Sequence, residues 1–325
     1  MDEYEEKPEP KGRKPLLLKI IRFLTQLFFF ILFGNLVFIF GFNFLGAIAH
    51  FNGFPFPIMQ SHATPGTTIA GGYDVLMESF SQGTFPFMAL GVIFIFGILI
   101  GRATCGWMCP FGFVLDLCHA IPLRKRYPGI QINSQLSKVK FFILGLTFFI
   151  SITFGIIILG GGTPLPIWPF NANPFSPIDP STTLQAVIPT LIIDPAAVGW
   201  PSPEEGFWAI FSWSPYFWFR VFFMVVILIL CVYIGRAWCR WFCPMGALLG
   251  LMIPYAVVGV QRNLTKCLGK KCRQCETACP MGVPLLREPW EKIRDSNCIM
   301  CMKCYEACEE GAITLSFLRF TESQR

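Results

Sequence analysis

The sequence predicts an all-α polytopic membrane protein. Four transmembrane helices form a parallel two-fold internal repeat, with a small cysteine-dense domain behind them. Three observations predict this class. Of 325 residues, 54% are hydrophobic and 14% charged, with 35 Phe and 9 Trp, which is too apolar for a soluble domain of this length. Four apolar runs, near 23–45, 84–104, 139–162 and 216–237, reach the roughly 20 residues that a helix needs to cross a bilayer. Finally, the phrase IGRATCGWMCPFG from Ile100 recurs as IGRAWCRWFCPMG from Ile234, each time at the end of an apolar run.

Residues 1–22 open with MDEYEEKPEPKGRKP, a charged, Pro-rich stretch that reads as a cytoplasmic tail. The apolar run after it is too long for a signal-peptide core. Residues 23–260 form the membrane domain. Its runs are apolar on all faces, as lipid requires and a soluble core helix does not. Sidedness follows from the basic residues. Lys11, Arg13, Lys14, Lys19 and Arg22 precede the first run; Arg124, Lys125, Arg126, Lys138 and Lys140 follow the second; Arg262, Lys266, Lys270 and Lys271 follow the fourth. No Lys or Arg lies between the first two runs, or from Gly162 to Phe219. Both termini and the middle loop are thus expected in the cytoplasm, and the two long loops outside. Those loops are rich in Pro, Gly and aromatics. Asp179, Pro180 and Ser181 read as a helix start. Trp200, Trp208 and Trp213 form an aromatic belt, or the loops form a membrane-hugging lid without chemistry. The formal charge of +6 is modest, and no nucleic-acid partner is expected.

The 14 cysteines are mostly two to four residues apart, a spacing for metal ligation and not for a disulfide framework. Eight fall in the polar segment 261–325: Cys267, Cys272, Cys275 and Cys279, then Cys298, Cys301, Cys304 and Cys308, with Pro280 after the first group. This resembles the pattern of bacterial two-cluster ferredoxins, C-x2-C-x2-C-x3-C-P, written twice. The resemblance implies an α+β ferredoxin domain in which each cubane takes three cysteines of one group and the last of the other. One [4Fe–4S] cluster would sit on Cys267, Cys272, Cys275 and Cys308, the other on Cys298, Cys301, Cys304 and Cys279. Two departures stand: four residues separate Cys267 from Cys272, and Glu309 replaces the second proline. A pair of zinc sites is the alternative. Lys266, Lys270, Lys271 and Arg273 crowd the first group, either as juxtamembrane charge or as a docking face for an acidic redox partner.

The repeated phrases agree at 11 of 18 positions when Ile100–Leu117 is set on Ile234–Leu251. Cys105 and Cys109, like Cys239 and Cys243, are four apart, so each pair shares one face if helical. A pseudo-two-fold axis along the membrane normal would bring the four thiols together near the inner surface, as an intramembrane [2Fe–2S] or [4Fe–4S] cluster or another metal site. Pro110 and Pro244 force the preceding cysteines into extended backbone, and Gly112 and Gly246 permit the tight turn that follows. The competing readings are buried packing cysteines and a disulfide within each pair, which this spacing makes awkward. Arg102 and Arg236 either snorkel to lipid phosphate or compensate an anionic cluster. Cys118 and Cys231 have no counterpart in the other repeat and read as structural.

Taken together, these features resemble the NapH-type membrane polyferredoxins of periplasmic nitrate reductase systems, whose relatives occur in nitrous oxide reduction and reductive dehalogenation. The resemblance spans nearly the whole chain: four spans, two CxxxCP motifs, and a double ferredoxin. Without a large outer flavin domain before the first span or a further domain after the ferredoxin, the simple four-span form is expected. The resemblance implies a multi-pass inner-membrane component of a quinol dehydrogenase. It would pass electrons between membrane quinone and other redox subunits (a ferredoxin-like subunit, a cytochrome or a reductase) in a hetero-oligomeric complex. A titratable group should line the quinone site, and His50, His62, Asp74, Glu78 and His119 are the candidates. No C-x-x-C-H motif is present, so covalent c-type haem is not expected. The alternative function is a metal-cofactor maturation or metal-reducing factor; a third is a membrane anchor whose clusters only stabilise a complex.

Overall fold

The computed structural model describes residues 16–33, 55–59, 71–123, 128–162, 174–175, 178–188, 191, 215–269, 272–287 and 292–317. Helix α1 spans Leu16–Phe33, α2 Gly72–Ser81, α3 Phe87–Ile100, α4 Ala103–Trp107, α5 Pro110–Ala120 and α6 Ile130–Leu159. A short α7, Pro180–Thr182, runs into one π-helical turn, Thr183–Val187. Then come α8 (Pro215–Tyr233), α9 (Ala237–Trp241), α10 (Pro244–Met252), strand β1 (Val258–Arg262), α11 (Gln274–Ala278), α12 (Lys303–Ala307) and strand β2 (Ile313–Phe317).

The expected four-span two-fold bundle is corrected here. Among the described residues one helix, α6, is long and apolar enough to cross a membrane. The run at 84–104 yields only the 14 residues of α3, because Pro86 caps its start and Gly101 ends it at φ 55°. Such a helix is about 21 Å long, short of a hydrocarbon core of about 30 Å. The run at 216–237 stops at Tyr233, leaving the 17 apolar residues Phe217–Tyr233. The first run is described only to Phe33, so its remainder lies outside the described residues.

Helix α6 is built inside out. Its buried positions are Asn133, Ser137, Lys140, Leu144, Thr147, Ser151 and Gly155, one stripe of mostly polar and small residues at three- and four-residue spacing. Phe142, Phe149, Ile156 and Leu159 point outward and are exposed. Only 22% of its most apolar window is buried. A soluble core helix has the reverse polarity; a lipid-facing one packs small and polar groups inward. This is a membrane protein.

Around α6 pack α2, α9 and α10, while α5 packs on α1 and α8. Close approach needs glycine at Gly155, where a Cβ would run into the Phe80 carbonyl of α2, and at Gly97, where it would strike Met252 of α10. Strands β1 and β2 form an antiparallel ribbon, from Val258 opposite Phe317 to Arg262 opposite Ile313. The Val257 amide donates to the Ile98 carbonyl (2.7 Å), tying the polar C-terminal region to the end of α3.

Candidate functional site

The eight C-terminal cysteines surround two cavities. One is lined by Cys267, Cys272, Cys275 and Cys308. The other is lined by Cys279, Cys298, Cys301 and Cys304, with Val260, Met281 and Met300 among its apolar walls. The loops curl because Arg273, Met300 and Met302, each between two cysteines, adopt positive φ (47°, 47° and 61°). Such conformations are costly for side-chain-bearing residues and gather at functional sites. Backbone amides turn toward sulfur: Gly269 N–H to Cys267 Sγ (3.4 Å) and Ala312 N–H to Cys308 Sγ (3.3 Å).

The donor set fits iron–sulfur clusters better than single ions. Among the described residues no three His, Cys, Asp or Glu side chains converge as one metal ion requires, whereas tetrahedral zinc would draw four sulfurs to roughly 3.8 Å of one another. Cysteines ringing a cavity suit a cubane, whose irons carry the thiolates outward. Burial pushes the Cys275 thiol up to about 12, aided by the Glu276 carboxylate, and burial likewise pushes Cys298 up to about 12. Both are neutral thiols at physiological pH without a cluster, and cluster binding therefore releases protons.

The second cavity leans on the repeated phrase. Trp107 Nε1 donates to the Met300 carbonyl (3.0 Å), Arg22 Nη1 to the Cys301 carbonyl (3.0 Å) and Arg240 Nε to the Met281 carbonyl (2.7 Å). A Cβ on Gly106 would collide with the Ile299 carbonyl. The loops bearing Cys279 and Cys298–Cys304 are thus seated on α4 and α9.

Each CxxxCP motif folds alike. Cys105 and Cys239 lie within α4 and α9, while Cys109 and Cys243 are extended (φ −68° and −67°) and cap α5 and α10. The idea of two cysteines on one helical face is corrected: proline closes each short helix between them. The four thiols nevertheless lie close enough to act electrostatically on one another, Cys105 and Cys239 on Cys109, and both on Cys243. Arg102 and Arg236 do not snorkel; both are fully buried. They reach reciprocally across the repeat, Arg102 Nη2 to the Cys239 carbonyl (3.1 Å) and Arg236 Nη1 to the Cys105 carbonyl (2.8 Å). Gly246 and Gly112 make room for them: a Cβ would meet Arg102 Nη2 at 2.5 Å or Arg236 Nη1 at 3.3 Å.

Sequence reasoning missed several residues. Asp116 accepts two bonds from Arg236 (3.1 and 2.6 Å) and one from Gln26 (3.4 Å), and faces Lys303 Nζ at 3.5 Å. Burial alone would raise its carboxyl, but Arg236 and then Lys303 hold it well below the usual range. Its signal was a lone carboxylate inside PFGFVLDLCHA. Lys140, grouped by sequence with interfacial charge, is fully buried and donates to Asn297 Oδ1 (2.5 Å). Tyr73 meets Phe175 edge-on, and Phe175 lies tilted against Trp238. Asp179 caps α7 through the Ser181 and Thr182 amides, as its sequence suggested. In the π-helical turn Gln185 is 2% exposed, and both of its amide atoms lack a hydrogen-bond partner; no sequence signal marked it. Of the titratable candidates, Asp74 is buried at the start of α2, Glu78 bonds Gln82, and His119 ends α5. His50 and His62 lie outside the described residues.

Comparison with known proteins agrees with this geometry. A family described as "4Fe-4S binding domain" matches residues 82–128 and 216–256, the segments that carry the repeated phrase. An uncharacterized protein of Methanocaldococcus jannaschii is 25% identical over 70% of this chain and 77% of its own. The ferredoxin-type protein NapH of Haemophilus influenzae is 24% identical over 71% of this chain and 68% of its own. Protein NirI of Paracoccus denitrificans is 26% identical over 67% of this chain, which spans only about a quarter of that protein. No solved structure matches. Site and relatives together define an iron–sulfur electron-transfer protein with [4Fe–4S] chemistry. The chain is similar to the NapH-type polyferredoxins.

Proposed function

We propose that the chain conducts electrons between membrane quinone and redox partner subunits. The route runs through two [4Fe–4S] clusters and a metal or iron–sulfur centre on Cys105, Cys109, Cys239 and Cys243. The observation that carries this reading is the sequence of three cysteine quartets. Helix α11 runs from Cys275 at the first cavity to Cys279 at the second, α12 from Cys304 at the second to Cys308 at the first, and the second cavity's loops rest on the helices of the CxxxCP pair. Cys267, Cys272, Cys275 and Cys308 would hold one cluster, and Cys279, Cys298, Cys301 and Cys304 the other. Bound clusters supply one-electron steps. The protein's part is to fix their order, to exclude water with apolar walls, and to hold the loops by Trp107, Arg22 and Arg240.

The basic residues before α1 and around the first cavity support a cytoplasmic ferredoxin region and cytoplasmic termini. Lys266 is exposed beside that cavity and offers a face for an acidic partner. The Tyr73–Phe175–Trp238 series and buried Asp74 supply the apolar and titratable surroundings that a quinone needs.

The test is anaerobic addition of a quinol to the full chain in membranes, with its native partners, while following cluster absorbance and electron paramagnetic resonance. Quinol-dependent reduction, or quinone-dependent oxidation of reduced clusters, is expected. Clusters indifferent to both, together with a partner enzyme lacking its metal when this chain is deleted, would establish the maturation role instead.

A further inference from the structure

We propose that Arg102, Arg236 and Lys140 form a cationic cradle that calls for an anionic metal–thiolate centre on the four CxxxCP cysteines and sets its reduction potential, with Asp116 as a one-sided counterweight. This deepens the reading of those cysteines as a metal or iron–sulfur site and rests on it.

The argument is a charge balance. Arg102, Arg236 and Lys140 are each fully buried, and Lys and Arg are almost never so unless paired. Arg102 is held by neutral carbonyls, those of Ser296 (2.6 Å) and Cys239 (3.1 Å). Lys140 is held by the neutral amide of Asn297. Hydrogen bonds of this kind orient a cation without cancelling it. Arg236 alone has a carboxylate bonded to it, that of Asp116. Other charges face these groups: Asp295 acts on Lys140 from a part-exposed position where it also caps Asn297, and Lys303 and Arg22 act on Asp116. With one carboxylate bonded among these groups, net positive charge remains around the thiols.

Four neutral thiols, or two disulfides, answer none of that charge. Four thiolates on an oxidised iron–sulfur cluster carry about −2, which offsets it. The cations reach the whole quartet: Arg236 acts on Cys109 and Cys239, Arg102 on Cys239 and Cys243, and Lys140 on Cys243 and Cys105. One electron, delivered by the neighbouring reduced cluster or by a quinol, adds one negative charge to the centre. The cradle offsets it, so the reduced form is stabilised and the potential raised.

The two halves are not equal. At the place in α10 that corresponds to Asp116 the chain has Gly250, where a Cβ would meet the Ser296 carbonyl at 2.8 Å. The ferredoxin region's backbone occupies the space of the missing carboxylate. Arg102 therefore has no bonded carboxylate, while Arg236 has one.

The experiment is a redox titration, followed by electron paramagnetic resonance, of the signal that disappears when all four CxxxCP cysteines become Ser. It is run on the full chain, with iron per chain measured in every variant. Arg102→Gln and Lys140→Gln should shift that signal to lower potential, and Arg102→Lys should restore most of the shift. Asp116→Asn should move it upward. Opposite signs from removing a cation and removing a carboxylate are what a purely structural role would not produce. Shifts of the same sign, or none, with iron retained overturn the cradle while leaving the metal centre standing. If Arg102→Gln loses its iron, Lys140→Gln decides the lower-potential arm. Absence of any signal or iron that depends on these cysteines overturns the centre itself.

Discussion

Replacing Cys279 with Ser will empty the cavity of Cys298, Cys301 and Cys304 and leave the cluster of Cys267, Cys272, Cys275 and Cys308 in place. Cys279 belongs to the first group in the sequence, yet it lines the cavity of the second and acts electrostatically alongside Cys301. Losing one of four thiolates removes a ligand to one cluster only. Iron bound by this region should therefore fall by about half, from about 8 to about 4 per chain. Cys308→Ser should give the complementary loss at the cavity it lines. Iron and sulfide analysis with resonance spectra of the surviving cluster reads the result. If Cys279→Ser instead removes the cluster of Cys267, Cys272 and Cys275, the ligands are not exchanged between groups.

The second large effect concerns Arg236. Arg236→Ala will destabilise the chain by about 3–5 kcal/mol, the usual cost of breaking a buried ion pair by removing one partner. Its guanidinium makes a two-point contact with Asp116 and a bond to the Cys105 carbonyl. Asp116 in turn links α1, through Gln26, to Lys303 of α12. Arg236 also carries a positive φ of 49°, a cost of about 1–3 kcal/mol that these contacts must offset. Because the Asp116 carboxyl is held below its ordinary value, the pair's stabilisation is complete above the ordinary carboxylate pKa. It is lost only as pH falls through the depressed one. Denaturation in mild detergent at neutral pH, compared between the wild-type chain and Arg236→Ala, measures the effect.

What could be read in the sequence was local. The cysteine rhythm marked the residues that line both cavities, and the repeated phrase marked the CxxxCP pair, because short fixed spacings survive as text. Pro110 and Pro244 announced the extended cysteines correctly, since proline restricts the residue before it. What failed was the step from hydropathy to architecture. Apolar composition reports affinity for lipid but not where a helix stops, and Pro86 and Gly101 cut the 84–104 run to 14 residues. Lys140 read as surface charge because sequence cannot tell which face of α6 points inward. The two arginines could be named but not paired, and Asp116 was missed, since their contacts span 120 to 194 residues of chain. Gly112 and Gly246 were expected to serve a turn; they serve the guanidinium of the opposite repeat.

The measurement that tests the conduit most directly is iron and acid-labile sulfide per chain, taken anaerobically on the wild-type protein and on a variant with Cys105, Cys109, Cys239 and Cys243 all changed to Ser. Two cubanes alone give about 8 Fe per chain. The account predicts roughly 2 to 4 more Fe in the wild-type chain than in the variant, because the third quartet holds a cluster between the ferredoxin region and the membrane. Equal iron of about 8 in both proteins would contradict it and leave the relay without its membrane-side step.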